Sequence, residues 1–365
     1  MSTVFAASVL LLAANAGIGS TGSAFDRMRS RTVGHARIPL ARLIGQHLMG
    51  RMTGTTPSSS LLTRIRRGEL GGVILFADNF TSVRQLRRTV AALRAAAHDG
   101  GQPPLLIATD QEGGIVKRLP AGPPYESAAQ MGADGSPTKS WREGNETAAY
   151  LRAAGINVDL APVLDVPAAS SSFLGSRAFA RDPAVVARVG VAFASGVQLG
   201  RVAATAKHFP GLGRAAGNTD LGDVTILNRR ADLLRDLAPF RAAAQSGIQL
   251  VMVSNARYPA LDPSRRPAVL SQPIVTGLLR RRLGFRGVAI TDTLAAPSVR
   301  QYTNVPIRAI RAGMDILLYS DHERDSAYAY AQLLHAARTR SLHRETLESS
   351  FERIMTLKAW LSKSR

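Results

Sequence analysis

Short, unbroken apolar runs recur along the chain: Gly72-Val73-Ile74-Leu75-Phe76, Leu105-Leu106-Ile107-Ala108, Ile156-Asn157-Val158-Asp159-Leu160, a run over 202–206, Leu250-Val251-Met252-Val253, Val288-Ala289-Ile290 and Met314-Asp315-Ile316-Leu317-Leu318. They are rich in Leu and β-branched residues and are continuous rather than alternating. That pattern predicts strands buried on both faces, as in a parallel sheet. Helix-like stretches lie between them, at 83–98, 139–154, 183–199, 230–246, 273–283 and 306–312. Ser, Thr or Asp starts and Gly stops punctuate several of these. A weaker eighth strand is expected within 36–50. Alternating strands and helices in this number predict an α/β fold, a TIM (β/α)8-type barrel in a single domain. The glycine-rich fingerprint of a dinucleotide-binding sheet is absent after the first strand, which disfavours an open doubly wound sheet.

Composition refines the picture at the N-terminus. Residues 1–24 combine an apolar stretch, Val4 to Ala14, with small residues up to Ala24, and are expected to be a cleaved signal peptide. The apolar stretch is too short to span a bilayer comfortably, so no integral membrane segment is expected. The barrel is expected over 25–365, and the protein to be exported to the periplasm or the cell exterior. With no cysteine among 365 residues, disulfides, thiolate catalysis and cysteine-ligated metal are excluded.

The net charge is +20, and the basic residues are spread along the whole chain. No nucleic-acid-binding motif accompanies them, and aromatics make up only 5% of residues, leaving little for base stacking. The charge therefore points to a basic, solvated surface suited to anionic envelope polymers, not to a nucleic-acid partner.

In a barrel, the residues just beyond each strand build the site. The expected strands deliver Asp110, Asp165, Lys207-His208, Ser254-Asn255 and Asp292, with Ser176-Arg177 on an intervening loop. A single Asp in such a place is often a helix cap. Cations and carboxylates converging from several strands suit sugar recognition and glycosidic cleavage, in which one carboxyl group attacks the anomeric carbon and another group protonates the leaving oxygen. Asp292, directly after a buried strand, is the candidate nucleophile.

These segments resemble the N-terminal barrel domain of glycoside hydrolase family 3, especially its bacterial β-N-acetylglucosaminidases. The resemblance rests on Thr109-Asp110-Gln111-Glu112-Gly113-Gly114, Asn157-Val158-Asp159-Leu160-Ala161-Pro162-Val163-Leu164-Asp165, Ser176-Arg177-Ala178-Phe179, Lys207-His208-Phe209-Pro210-Gly211, Tyr258-Pro259-Ala260-Leu261-Asp262 and Gly284-Phe285-Arg286-Gly287-Val288-Ala289-Ile290-Thr291-Asp292. It implies a retaining exo-β-glycosidase that forms a covalent intermediate on Asp292 and acts on N-acetylglucosamine-containing glycans. Asp110, Arg118, Arg177, Lys207 and His208 would hold the sugar, with no metal or organic cofactor. Relatives carry a His at the position of Leu212, and an Asp-Ser-His acid/base motif where this chain has Asn218-Thr219-Asp220. Asp220 is thus the expected acid/base, with Asp223 nearby. The alternative is a barrel that binds a sugar or muropeptide with impaired turnover.

Overall fold

The computed structural model describes residues 38–363; the expected signal segment at 1–24 lies outside the described residues. The apolar runs form the strands. In chain order these are β1 (Leu48–Arg51), β2 (Gly72–Ile74), β3 (Leu106–Thr109), β4 (Gln111–Gly113), β5 (Val116–Lys117), β6 (Val158–Asp159), β7 (Ala203–Phe209), β8 (Leu250–Val253), β9 (Val288–Thr291) and β10 (Leu317–Tyr319). Eight of them form one sheet in the order β10-β1-β2-β3-β6-β7-β8-β9, while β4 and β5 form a separate hairpin. Every pairing in the large sheet is parallel, with Met49 beside both Leu318 and Gly72, and Val251 beside Ala289. An Ile290–Ile316 bridge joins the two outer strands and completes the ring. The expected barrel is therefore present.

The core has two layers. Met49, Ile74, Leu106, Leu250, Met252 and Ile290 point into the barrel, where Ile354 and Leu357 of the helix Arg344–Ser362 join them. That helix closes the N-terminal mouth of the barrel. Phe193, Phe240 and Leu43 belong to the second layer, between strands and helices. The helices Pro137–Ala154 and Pro183–Leu199 pack there with their backbones almost touching. A Cβ at Gly144 would strike the Phe193 carbonyl, and one at Gly196 the Trp141 carbonyl, so neither position tolerates a side chain.

The structure differs from the sequence reading in several places. The weak first strand lies at the end of its expected segment, behind a short helix Leu40–Gly45. The stretch 230–246 is two helices, Arg230–Arg235 and Ala238–Gln245, because Pro239 cannot supply the backbone N–H that would continue the first. Pro273–Arg282 is wound as a π-helix. The helices Ser59–Arg66, Ala128–Asp134, Glu323–Arg338 and Arg344–Ser362 were not anticipated. β7 does not stop at the apolar residues but continues through Lys207 and His208, with a shift in register against β8 between Ala206 and Phe209. Among the described residues, no helix is long and apolar enough to cross a membrane.

Candidate active site

The C-terminal ends of the strands surround a cavity of about 270 Å³, lined by the seven residues given catalytic or sugar-holding roles, Asp110, Arg118, Arg177, Lys207, His208, Asp220 and Asp292, whereas Asp165, Ser176, Ser254 and Asn255 do not line it. Phe76, Phe173, Leu212 and Met252 supply apolar wall.

One side is an alternating chain of charges. Lys207 Nζ donates to Asp110 Oδ1 at 2.8 Å and lies 2.7 Å from Glu112 Oε1. Arg177 grips Glu112 through two bonds, Nε at 2.8 Å and Nη2 at 2.9 Å. Arg118 Nη2 lies 3.6 Å from Asp110 Oδ2. Lys207 and Glu112 are almost wholly buried, with side-chain exposures of 3% and 2%. Burial alone would neutralise these groups, but the pairing wins. Asp110 and Glu112 are held below the ordinary carboxylate range by Lys207 and the neighbouring guanidiniums, and Lys207 is held above the ordinary lysine value by the two carboxylates. A rigid, ionised row of this kind suits hydrogen bonding to sugar hydroxyls.

Beneath it sits Asp159, on β6 and fully buried. Its Oδ1 accepts the Gln111 N–H at 3.0 Å, while Oδ2 has no partner. Burial pushes its carboxyl well above the ordinary range, so the neutral form is favoured.

His208 is oriented by Asp165. Asp165 Oδ2 accepts from His208 Nδ1 at 2.6 Å, and its Oδ1 takes the Leu212 backbone N–H at 2.6 Å. With Nδ1 committed, Nε2 is the nitrogen available to a ligand. The turn after β7 is held by Tyr258, whose hydroxyl donates to the Gly211 carbonyl at 3.1 Å and contacts Ser254 Oγ at 3.0 Å.

The two candidate catalytic carboxylates lie opposite this row. Asp292 follows β9; its backbone N–H donates to the Val253 carbonyl at 2.9 Å, and its Oδ1 accepts the Thr293 N–H at 2.8 Å. Its pKa is pushed up to about 6, first by burial and then by the charge of Asp220, against the opposing effects of His208 and Lys207. Asp220 is exposed on the loop after β7. Its N–H is held by Asn218 Oδ1 at 3.0 Å. Asp223 does not line the cavity; it is bound to Arg257 at 3.1 Å and to Gln301 Nε2 at 2.8 Å.

Sequence reasoning quoted Glu112 and Asp159 within motifs but gave them no role, and it placed Asp165 at a strand end without its partner. The signal was present for Glu112: two positions beyond Asp110 in extended chain, it faces the same side. Nothing local marks Asp165 as the partner of a residue on the next strand.

A parallel β/α barrel with an ion-paired row and two further carboxylates lining one cavity at its C-terminal mouth is the arrangement of a glycosidase of the barrel type. Comparison with known proteins narrows this. The model of the glycosyl hydrolase family 3 N terminal domain matches residues 43–357, and the chain belongs to that family. It is 37% identical over 337 residues to an uncharacterized secreted glycosyl hydrolase of Arthroderma benhamiae, covering 89% of this chain and 95% of that protein. It is 36% identical over 292 residues to a beta-hexosaminidase of Nitrosomonas eutropha, covering 77% and 82%. Among solved structures, the family 3 beta-N-acetylglucosaminidase from Paenibacillus superposes with a TM-score of 0.86 at 32% identity, covering 90% of this chain but only 64% of the Paenibacillus chain. The beta-N-acetylhexosaminidase from Beutenbergia cavernae gives a TM-score of 0.82 at 33% identity, covering 89% and 99%.

Proposed function

We propose that the protein is an exported, retaining exo-β-N-acetylhexosaminidase that uses Asp292 as nucleophile and Asp220 as acid/base. One observation carries the catalytic part: Asp220 and Asp292 border one cavity at the C-terminal mouth, and the charge of Asp220 reaches Asp292 and helps raise it. The first step needs Asp292 as the carboxylate and the second group as the carboxylic acid.

In that step an Asp292 oxygen attacks the anomeric carbon, the glycosidic bond breaks, and the Asp220 proton goes to the departing oxygen. In the second, Asp220 takes a proton from water. The resulting hydroxide displaces Asp292 and restores the starting configuration. The Asp110–Lys207–Glu112–Arg177 row and His208 Nε2 hold the sugar. The β-hexosaminidase names of the relatives support the choice of an N-acetylhexosaminide. The secreted relative and the apolar N-terminal stretch support export.

The test is hydrolysis of p-nitrophenyl N-acetyl-β-glucosaminide together with trapping by an activated fluorosugar. An adduct on Asp292, lost in Asp292→Ala, is expected. An unchanged rate in both Asp292→Ala and Asp220→Ala would refute the assignment. A second reading, a sugar-binding barrel with impaired turnover, is favoured by the exposure of Asp220 on its loop. It requires sugar binding with no hydrolysis above buffer and no adduct.

A further inference from the structure

A second cavity lies away from the catalytic one. It measures about 500 Å³ and opens at the opposite, N-terminal end of the barrel, beside the starts of β3, β6 and β7. Its walls include Leu105, Leu106, Ile156, Leu361 and the exposed His98, and its cationic side chains are Arg94, Arg152, Arg201 and Lys358. Among the described residues no carboxylate lines it.

The cations have neutral partners only. Lys358 comes from the helix that closes the barrel and is 3% exposed. Its Nζ donates to Gln46 Oε1 at 2.6 Å and to the Gly71 carbonyl at 3.0 Å, leaving one of an ammonium's three N–H donors unused. Arg94 donates to the Gly155 carbonyl at 2.7 Å and Arg152 to the Gly200 carbonyl at 3.1 Å. Arg201 is held at a φ of 59°, in the left-handed region, with its guanidinium 5.3 Å from the Trp360 ring. Among the described residues none of Arg94, Arg152, Arg201 and Lys358 forms an ion pair. The contrast with the catalytic end is plain, since Lys207 and Arg177 there each rest on a carboxylate.

Four basic groups border one cavity, and burial disfavours the charge of two of them: it lowers the pKa of Arg94 and pushes Lys358 down to about 7. A bound dianion would remove both penalties at once. Guanidiniums fork onto phosphate oxygens, and an ammonium adds a point charge beneath them. The apolar walls leave room for more than the anion itself. We propose that this cavity is a second binding site, separate from the catalytic centre, for the phosphate group of a small phosphate monoester.

The test uses the full chain. Inorganic phosphate and glucose 6-phosphate are titrated at constant ionic strength, balanced with chloride, with Trp360 fluorescence and thermal melting as readouts. Saturable binding of both, with glucose 6-phosphate at least as tight, is expected. Arg94→Ala with Arg152→Ala, at the exposed mouth, is expected to weaken both by about tenfold or more while leaving hydrolysis of an aryl glycoside unchanged. Lys358→Met is expected to weaken them further; if it does not fold, the double arginine variant decides. The proposal is overturned if chloride alone gives the same melting shift, if the double variant binds phosphate as the parent does, or if only a glycerol-phosphate polymer binds.

Discussion

Lys207 is the residue on which the sugar side of the pocket turns. It is the cation between Asp110 and Glu112, so Lys207→Met leaves two buried carboxylates facing one another. Loss of about 3–5 kcal/mol of stability is expected, measured by denaturant unfolding, with sugar binding lost as well. Asp292 behaves in the opposite way. Its raised pKa means that the fold penalises the ionised form: the penalty appears as pH rises from the unfolded carboxylate value through about 6 and is complete above that. Asp292→Asn is therefore expected to abolish turnover yet stabilise the protein, by on the order of 1–2 kcal/mol at pH 8 and by little at pH 4, read as a difference in melting temperature. The same ionisation governs activity. Asp292 attacks as the carboxylate, so kcat/KM on an aryl glycoside is expected to rise as pH increases through about 6, read from a pH–rate profile. Asp159→Asn is expected to cost little stability in denaturant unfolding, because burial already disfavours the charge of Asp159 and the amide oxygen can still accept the Gln111 N–H.

At the scale of elements, the strands were legible because residues buried on both faces must be apolar without alternation, and Leu250–Val253 and Val288–Thr291 lie where such runs stand. The helix Glu323–Arg338 was harder to see. Its buried stripe is Ser326, Ala329, Leu333 and Ala336, too small and too polar to read as an apolar face. Asp110 and Lys207 were legible as groups at strand ends, whereas the Asp165–His208 pair depends on two strands meeting 43 residues apart in sequence. The turn after β7 shows how one element serves another. Tyr258 reaches back to the Gly211 carbonyl, so Tyr258→Phe should cost about 1–2 kcal/mol by stranding that acceptor. It should also lower kcat more than it raises KM, because the turn leads into the loop that carries Asp220.

For the molecule as a whole, the two ends of the barrel are electrically unlike. The C-terminal mouth balances its cations with carboxylates, and the N-terminal mouth does not. A net charge of +20 is expected to draw an anionic substrate toward the surface and speed its encounter. Raising salt from about 0.05 to 0.5 M is expected to lower kcat/KM for a carboxylate-bearing muropeptide while barely changing that for a neutral aryl glycoside.

The alternating charges of Arg118, Asp110, Lys207, Glu112 and Arg177 also constrain how this protein could change over time. Lys207 is the member shared by both carboxylates, so replacing it leaves Asp110 and Glu112 each short of a partner, and the row resists change most at that position. The loop bearing Asn218, Thr219 and Asp220 is exposed at Asp220 and carries no such obligation. Change is therefore channelled: the ionised row is held in place by its own members, and the loop that carries Asp220 is what drift can rewrite.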